Sequence, residues 1–413
     1  MDTIWEARGL RFSQPVRDPL WQNIMLPAEF LPVVRSADFI KLGRIFQLGP
    51  AHHVYPGATH TRRAHSFGVF DLARRLLEAL AARHDLGWLD ATALRSFLLA
   101  ALCHDLGHFP YTHSLKELPL VEHETLSAGL LLGPLAGAVE AAGADPALAA
   151  AIVDDHQPHG HPALGFLRSL LSGVLDPDKL DYLNRDAWAC GVPYGTQDVA
   201  FILQHVCLLD DRRLAIDERG VMAVEALLFS KYQMYRAVYW HRAVRSATAM
   251  IKQAVLATLA DGRLQAEALY GLDDAGFYSL MAGQSGRPLD DSGLIAAVFA
   301  GHLHETCYEQ VFDPGNPRHA AALDLRQRPA LAAALAASLG RPLRWPLVID
   351  VPEPISFESA LPVAGCGASF NEVSIAFGSG LVGAFEHALR IVRVFCHSDD
   401  AVDPRAVRAF LAG

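Results

Sequence analysis

The chain has 413 residues, of which 51% are hydrophobic, and its mean hydropathy is +0.19. A chain of this size and composition buries a large core and divides into two or three units, which excludes a largely disordered protein. The 35 Lys and Arg residues and the 45 Asp and Glu residues give a formal net charge of −10, so the chain as a whole has no electrostatic attraction for nucleic acid or acidic membranes.

Targeting and redox features are few. The longest stretch that could be mistaken for a membrane span, residues 126–139, is uncharged but has only 14 residues, whereas a spanning helix needs about 20 apolar residues. The N-terminus carries Asp2 and Glu6 and has no basic segment followed by an apolar one, so we expect a cytoplasmic protein. The six cysteines form no Cys-x-x-Cys pair, which argues against structural disulfides and a thiolate zinc site.

Apolar residues follow a helical spacing over most of the first 250 positions. The pattern predicts four long helices, over residues 64–83, 91–105, 178–190 and 221–259. After Pro342 the residues around 347–349 and 391–395 favour strands. We therefore expect a mainly α fold with a smaller C-terminal α+β part.

Three units describe this arrangement. They are a helical core at residues 1–250, a helical extension at residues 251–345, and the small α+β part at residues 346–413.

Histidine is concentrated in one region, since 12 of the 19 histidines lie between residues 52 and 161. Metal-ligating residue types occur in three predicted helical segments, at His65, at His104 and Asp105, and at Asp178. Two imidazoles and two carboxylates suit Mn, Fe, Co, Ni or Zn, because nitrogen ligands disfavour Ca²⁺ and the lack of thiolates disfavours Cu(I). A single histidine taken alone is more often a hydrogen-bonded core or surface residue than a ligand.

These residues stand within an ordered series of motifs between residues 31 and 245. The motifs are FIKLGRIFQLG at 39–49, YPGATHTRRAHS at 55–66, CHDLGH from 103 through to His113, His123-Glu124, and DPDKLDY at 176–182. In order and spacing they resemble the motifs of the HD-domain phosphohydrolases, and most closely those of the deoxynucleoside triphosphate triphosphohydrolases. The resemblance implies that the helical core is an HD domain.

The resemblance also implies a metal-dependent reaction. His65, His104, Asp105 and Asp178 would bind a divalent transition metal, and Mg²⁺ carried with the triphosphate is left open. The cation would activate a water for attack on the α-phosphorus, which releases deoxynucleoside and inorganic triphosphate. Arg62 would clamp a phosphate with its fork of N–H donors.

A second layer of histidines would supply the proton that the leaving group needs. His108, His113 and His123 form this layer, and the resemblance points to His113 as the acid that protonates the leaving 5′ oxygen, with His123 nearby. Relatives carry an aspartate three residues after the position of His113, whereas this chain has Lys116 there, followed by Glu117. The choice between His113 and His123 therefore stays open.

Three polar or aromatic residues share one face of the helix that begins near Asp178. Asp178, Tyr182 and Asp186 stand at positions i, i+4 and i+8, so they line up along one side. The resemblance directs Tyr182 and Asp186 at the sugar, with Asp186 toward its 3′-hydroxyl. It implies further substrate contacts for Gln47 and Leu48 on the sugar, Lys179 and Lys231 on phosphate, and Tyr235 and Tyr239 on base or sugar.

Regulated relatives bind an activating guanine nucleotide through three side chains in the segment before Gln47. The matching positions here are Arg35, Ile40 and Gly43, which cannot make the corresponding contacts. We therefore expect no activation by guanine nucleotides.

Two other functions fit the same scaffold. One is hydrolysis of another nucleotide or phosphate monoester, and the other is a catalytically weak, metal-binding nucleotide sensor. We expect a nucleotide ligand and no membrane partner. The net charge argues against nucleic acid in general, although a nucleic-acid end stays open as a substrate of the second function, and so does assembly into a homo-oligomer.

Overall fold

The computed structural model describes residues 4–283, 287–357 and 359–412. The helices, in chain order, are α1 (Leu31–Val34), α2 (Ala37–Lys41), α3 (Arg62–Ala81), α4 (Ala91–Cys103), α5 (His123–Leu132), α6 (Ala136–Ala141), α7 (Pro146–Val153), α8 (Leu164–Leu171), α9 (Pro177–Cys190), α10 (Val199–His205), α11 (Val221–Met234), α12 (Arg242–Ala260), α13 (Asp274–Ala282), α14 (Leu294–Phe299), α15 (Pro317–Ala321), α16 (Arg328–Ser338), α17 (Phe370–Val373), α18 (Ser379–Leu389) and α19 (Pro404–Leu411).

The strands are shorter and fewer. They are β1 (Phe12–Asp18), β2 (Gln22–Pro27), β3 (Val206–Leu208), β4 (Leu214–Asp217), β5 (Glu305–Val311), β6 (Val348–Asp350), β7 (Pro362–Ala364), β8 (Ala368–Ser369) and β9 (Ile391–Cys396). The prediction of a mainly α fold with a C-terminal α+β part is confirmed.

Helices α3, α4 and α9 form the centre of the core, and short polar side chains fix where they begin. The carboxylate of Asp90 accepts the backbone N–H of Ala93 at the start of α4, and Asp176 accepts that of Lys179 at the start of α9. Helix α9 also carries Pro177 in its first turn, where a missing N–H costs nothing. The cap of α9 fixes the helix end at which Asp178 lies, whereas His104 and Asp105 follow the opposite, C-terminal end of α4.

A glycine lets α3 and α9 approach closely. A methyl group at Gly68 of α3 would overlap the carboxylate of Asp181 on α9 and lie 2.6 Å from the guanidinium of Arg185. Both of these charged residues are fully buried between the helices. Gly68 is thus required by the packing of charged groups behind the site.

The single helix expected over residues 221–259 is wrong, because the segment divides into α11 and α12. Tyr235–Tyr239 form one turn of π-helix after α11, and the chain then leaves the helix at His241. The His241 ring accepts the backbone N–H of Ala243 and so caps α12. A π turn inserts an extra residue, which changes the direction in which its tyrosines point.

Three small sheets accompany the helices in the described part of the chain. β1 and β2 form a hairpin, β3-β4-β7-β8 form a second sheet, and β5-β9-β6 form a third. The strands expected near residues 347–349 and 391–395 are present as β6 and β9.

The C-terminal part does not stand apart from the core. β7 pairs in parallel with β4, with Val363 opposite Ile216, and β5 pairs with β9 although β5 falls in the expected helical extension. Strands from different predicted units therefore pair with each other. The unit boundaries at residues 250 and 345 stay predictions. No helix in the described ranges is both long and apolar enough to cross a membrane.

Candidate active site

Four of the predicted ligands converge where three helix ends meet. His65 lies near the start of α3, His104 and Asp105 directly follow α4, and Asp178 is the second residue of α9. Nε2 of His65 is 2.9 Å from Oδ1 of Asp178 and 3.9 Å from Oδ2 of Asp105. Nε2 of His104 is 3.8 Å from Oδ1 of Asp178 and 3.4 Å from Oδ1 of Asp105. Ligand atoms of His65, His104 and Asp178 thus lie within 4.8 Å of one another, and Asp105 lies beside both imidazoles.

Hydrogen bonds on the far side of each imidazole aim its Nε2 at this point. Nδ1 of His65 is 2.8 Å from Oδ2 of Asp181, and Nδ1 of His104 is 2.9 Å from the carbonyl oxygen of Ala101. These acceptors hold the proton on Nδ1 and leave Nε2 with a lone pair, as metal-bound histidines require.

The donor set fits a divalent transition metal. Nε2 of His104 is buried and makes no hydrogen bond within the described ranges, although an unsatisfied buried nitrogen is costly. Burial lowers the pKa of His65, but the hydrogen bonds and charges of Asp178 and Asp181 raise it to about 10, so these carboxylates favour a positive charge at this ring, where a bound cation would take the place of the Nε2 proton. A cation bound to the Nε2 atoms and carboxylates would satisfy both features.

Asp181 is held in place by a buried ion-pair network. Arg185 donates to both of its oxygens, at 2.8 and 2.9 Å, and also to Asp18 at 2.8 Å. Burial raises the pKa of Asp181, but the charge and hydrogen bonds of Arg185 and His65 lower it well below its usual range. Asp181 is therefore an anion that can orient His65.

Arg62 begins α3 at the edge of this cluster. Its guanidinium donates to Oδ2 of Asp105 at 2.8 Å, and its side chain is almost fully buried. The Nε–H group is buried without a partner among the described residues. A phosphate oxygen bound at the cluster would satisfy this donor.

The second histidine layer lies beside Asp105. Nε2 of His108 is 3.0 Å from Oδ1 of Asp105, and the His108 ring stacks on that of His123 with 3.9 Å between ring centres. The His113 ring lies 4.8 Å from His108 and 5.1 Å from His123. The three predicted histidines are therefore in mutual contact next to a predicted metal ligand.

A carboxylate pairs with His123 in this layer. Oε2 of Glu124 is 3.0 Å from Nδ1 of His123, whereas Glu117 points away from the histidines. Glu117 instead pairs with Lys252 and with Arg328, the latter at 2.6 Å. His113 and His123 both line a small cleft, together with Lys116 and Glu124.

The predicted sugar-facing residues meet further along α9. Asp186 is 1% exposed, and its carboxylate receives the hydroxyl of Tyr239 at 2.7 Å and contacts Nε2 of His60 at 2.8 Å. The ring of Tyr182 lies 6.3 Å from that of Tyr239, and Tyr235 lies 5.0 Å from Tyr239. Burial raises the pKa of Tyr239 well above its usual value, so its hydroxyl stays a donor.

The two predicted phosphate-binding lysines have protein partners. Lys179 donates to Oδ2 of Asp176 at 2.7 Å and to the carbonyl oxygen of Gly173 at 2.8 Å. Lys231 donates to the carbonyl oxygen of Ser356 at 2.8 Å, with its ammonium 5.5 Å from the centre of the Phe357 ring. A segment of the C-terminal part therefore borders the site at Lys231.

Two family models match the chain. The HD domain model matches residues 62–141, and the HD associated region model matches residues 198–292. The first match begins at Arg62 and includes His65, His104 and Asp105, the residues found together above. The chain contains an HD domain. The predicted resemblance to HD-domain phosphohydrolases is confirmed, and a metal-dependent HD-type hydrolase is the enzyme class that the domain and the ligand cluster support.

Curated relatives match over somewhat more than half of this chain. An uncharacterized protein of Methanocaldococcus jannaschii is 30% identical over 269 residues, which are 64% of this chain and 54% of that protein. YwfO of Bacillus subtilis, also uncharacterized, is 32% identical over 57% of this chain and 53% of its own. The human deoxynucleoside triphosphate triphosphohydrolase SAMHD1 is 27% identical over 58% of this chain and 44% of its own. The chain spans about half the length of the curated relatives that it matches.

Solved structures share the fold over nearly the whole chain. A phosphohydrolase from Bacteroides thetaiotaomicron superimposes with a TM-score of 0.72 at 22% identity, covering 93% of this chain and 100% of that one. A hypothetical protein from Aquifex aeolicus gives a TM-score of 0.71 at 22% identity, covering 97% and 100%. The fold of the helical core together with the C-terminal part thus occurs in other proteins.

Some residues that support the HD domain site were not predicted to do so. Asp181 and Arg185 fall at i and i+4 on α9, a spacing typical of a helical ion pair, but their burial cannot be read from spacing. His60 and Glu124 lie within the quoted motifs and were given no role. Asp18, on strand β1, has no sequence signal that connects it to Arg185.

Proposed function

We propose that this protein is a metal-dependent phosphohydrolase that converts deoxynucleoside triphosphates into deoxynucleoside and inorganic triphosphate. The observation that carries the proposal is the face of α9, where Asp178 lies in the ligand cluster and Asp186 lies among aromatic and hydroxyl groups eight residues later. Eight residues of α-helix span about 12 Å, which suits a nucleotide whose phosphate and sugar contact the two ends.

The cation would supply an activated water and would neutralise charge on the phosphoryl oxygens. Arg62 donates from Nη1 to Asp105 at 2.8 Å, and its Nε–H has no partner among the described residues, so its guanidinium would supply a donor for a phosphoryl oxygen. As the oxygen of water bonds to the α-phosphorus, the bond from this phosphorus to the 5′ oxygen breaks. The leaving 5′ oxygen then needs a proton.

We assign this proton to His123 rather than to His113. Glu124 holds Nδ1 of His123 at 3.0 Å, which orients the ring and leaves Nε2 to face the leaving oxygen. His123 stacks on His108, and His108 in turn contacts Asp105, so His123 lies close to this predicted metal ligand. Glu117, the carboxylate nearest in sequence to His113, is paired with Lys252 and Arg328.

Similarity to SAMHD1 and to its relatives in Dictyostelium discoideum and Xenopus laevis, all named deoxynucleoside triphosphate triphosphohydrolases, supports the substrate class. Leu48 and Tyr182 are both partly buried against the core, and as sugar-binding residues they would leave little room for a 2′-hydroxyl. A ribose hydroxyl without a partner there costs about 1–3 kcal/mol, so ribonucleotides should react roughly ten- to a hundred-fold more slowly.

The test is to incubate manganese-loaded protein with each of the four dNTPs and four NTPs and to separate the products by anion exchange. Inorganic triphosphate and deoxynucleoside support the proposal. Orthophosphate or a released nucleotide would indicate a phosphohydrolase of another specificity, and binding without turnover would indicate a sensor.

A further inference from the structure

The histidines that would supply the proton lie on or next to the segment between α4 and α5. His108 and His113 belong to residues 104–122, and His123 directly follows as the first residue of α5. Within this segment, Thr112–Leu115 form one short turn of 3₁₀ helix. Regular backbone hydrogen bonds therefore fix little of the segment, and contacts with other parts of the chain must hold its side chains in place.

Partners of this histidine segment come from outside the residues that match the HD domain model. The hydroxyls of Tyr111 and Tyr278 are 2.5 Å apart, and the hydroxyl of Tyr270 accepts the backbone N–H of Val121 at 2.8 Å. Both of these partner tyrosines belong to the HD associated region, residues 198–292. The position of the histidine segment thus depends on parts of the chain beyond the HD domain.

Glu117 is the charged anchor of the segment. Nη2 of Arg328 donates to Oε1 of Glu117 at 2.6 Å and Nη1 to Oε2 at 3.2 Å, and Lys252 also donates to Oε2. Side-chain exposure is 14% for Glu117 and 4% for Arg328, so water competes little for the pair. Burial raises the pKa of Glu117, but the charges and hydrogen bonds of Lys252 and Arg328 lower it below its usual value. Glu117 is therefore an anion held by two cations.

Arg328 is itself fixed by the elements around it. Its Nε donates to the carbonyl oxygen of Ala322 at 2.7 Å, and its Nη2 also donates to that of Val351 at 3.3 Å. Arg328 is the first residue of α16, and Leu335 of this helix shares with Val351 the apolar cluster that packs on the third sheet. The planar fork of Arg328 thus connects this sheet and its helix to Glu117.

Glu117 lies close to the proton-supplying histidines along the chain. Its neighbour Lys116 lines the same cleft as His113 and His123. His113 lies four residues before Glu117 and His123 six residues after it, so a shift of the backbone at Glu117 moves the rings of both. We infer that Arg328 is a positioning residue of the reaction, which holds, through Glu117, the histidine that protonates the leaving oxygen. The inference rests on the proposed function and gives the third sheet and α16 a part in it.

Two substitutions break this anchor from its two sides. Arg328→Gln removes the fork, and Glu117→Gln removes the charge that the fork binds. Lys252 stays beside Glu117 in Arg328→Gln, so the buried carboxylate keeps one cation and the variant should fold. Arg245→Gln is the matched control, because Arg245 is also buried and makes a bidentate pair, at 2.8 and 2.5 Å, but with Asp350 of β6 instead of the histidine segment.

In Arg328→Gln and Glu117→Gln, kcat for dATP should fall about 10- to 100-fold, because a small displacement of a catalytic group costs this much. KM and metal content should stay as in the wild type, and Arg245→Gln should keep the wild-type kcat. When His113 and His123 are both replaced by Ala, adding Arg328→Gln should cause no further loss, because the rings that it positions are absent. Equal losses in Arg245→Gln and Arg328→Gln, or a further loss in the protein without the two rings, would overturn the inference.

The proposed function can fail separately. If the wild-type protein does not hydrolyse dATP, the triphosphohydrolase proposal is wrong, and hydrogen exchange of the backbone amides of residues 109–118 then tests the anchor. Exchange that is faster by about tenfold or more in Arg328→Gln and Glu117→Gln, but not in Arg245→Gln, still supports positioning of the segment by Arg328. Unchanged exchange in all three variants contradicts it.

Discussion

Oε2 of Glu124 lies 3.0 Å from Nδ1 of its chain neighbour His123. Burial raises the pKa of Glu124, but the hydrogen bond and charge of His123 lower it to about 2. The carboxylate is therefore ionised at neutral pH and fixes the orientation of the imidazole. This pairing occurs in a chain that has Lys116 where relatives carry an aspartate.

The first prediction concerns proton transfer. His123→Ala should keep its metal and lose about 10²–10⁴-fold in kcat, the range for a positioned acid. The loss of kcat in His113→Ala should be smaller by a factor of at least about ten. The loss in Glu124→Gln should lie between these two values, because the His123 ring stays in place but loses the carboxylate that orients it. Steady-state kinetics on metal-loaded variants measure the order. A larger loss in His113→Ala than in His123→Ala would reassign the acid.

The second prediction concerns the metal. Asp178→Ala should lose the bound transition metal and all hydrolysis while staying folded, because it removes a carboxylate within 4 Å of both imidazole nitrogens. Asp198→Ala is a matched control, since Asp198 is also an aspartate at a helix start but is exposed and caps α10. It should cost about 1 kcal/mol of stability and keep the metal. Metal analysis of both purified variants decides, and full occupancy in Asp178→Ala contradicts the ligand assignment.

The third prediction concerns the packing behind the site. Gly68→Ala should destabilise the protein by about 1–3 kcal/mol and weaken metal binding about tenfold, because the added methyl group displaces Asp181 from His65. Gly129→Ala, in the exposed part of α5, meets no atom within 4 Å and should stabilise by about 0.5–1 kcal/mol. Denaturant unfolding and metal titration measure both effects. Equal behaviour of the two variants would show that Gly68 has no special role.

The fourth prediction concerns regulation. Hydrolysis of dATP, dCTP or dTTP should proceed at the same initial rate with and without added dGTP or GTP. Arg35 and Ile40 lie exposed on the surface and Gly43 has no side chain, so the matching positions offer no guanine contacts. Strict dependence on a guanine nucleotide would show an activating site elsewhere in the chain.

Sequence reasoning reached local features of this molecule more easily than distant ones. The helices predicted over residues 91–105 and 178–190 begin within one residue of α4 and α9, and the caps at Asp90 and Asp176 show that these starts are fixed locally. The pairing of Val363 with Ile216 was not predicted, because it joins residues 147 positions apart and nothing in either short segment specifies the other. The π turn at Tyr235–Tyr239 was missed because its residues keep a helical apolar pattern.

The candidate site shows the same division. His65, His104, Asp105 and Asp178 were named from motifs, and the structure brings them together, while their roles stay predictions. The residues that support these ligands are brought together by tertiary contacts. Asp18 pairs with Arg185 across 167 positions, and Nε2 of His60 contacts Asp186 on α9. Burial and pairing of charges are three-dimensional properties that spacing does not encode.

The most direct test of the central claim is hydrolysis of dATP by manganese-loaded protein in water enriched in ¹⁸O, with mass spectrometry of the products. Attack on the α-phosphorus with cleavage of its bond to the 5′ oxygen predicts inorganic triphosphate that carries one ¹⁸O atom and deoxyadenosine that carries none. Labelled orthophosphate with dADP, or label in the 5′-hydroxyl of deoxyadenosine, would contradict the proposed reaction.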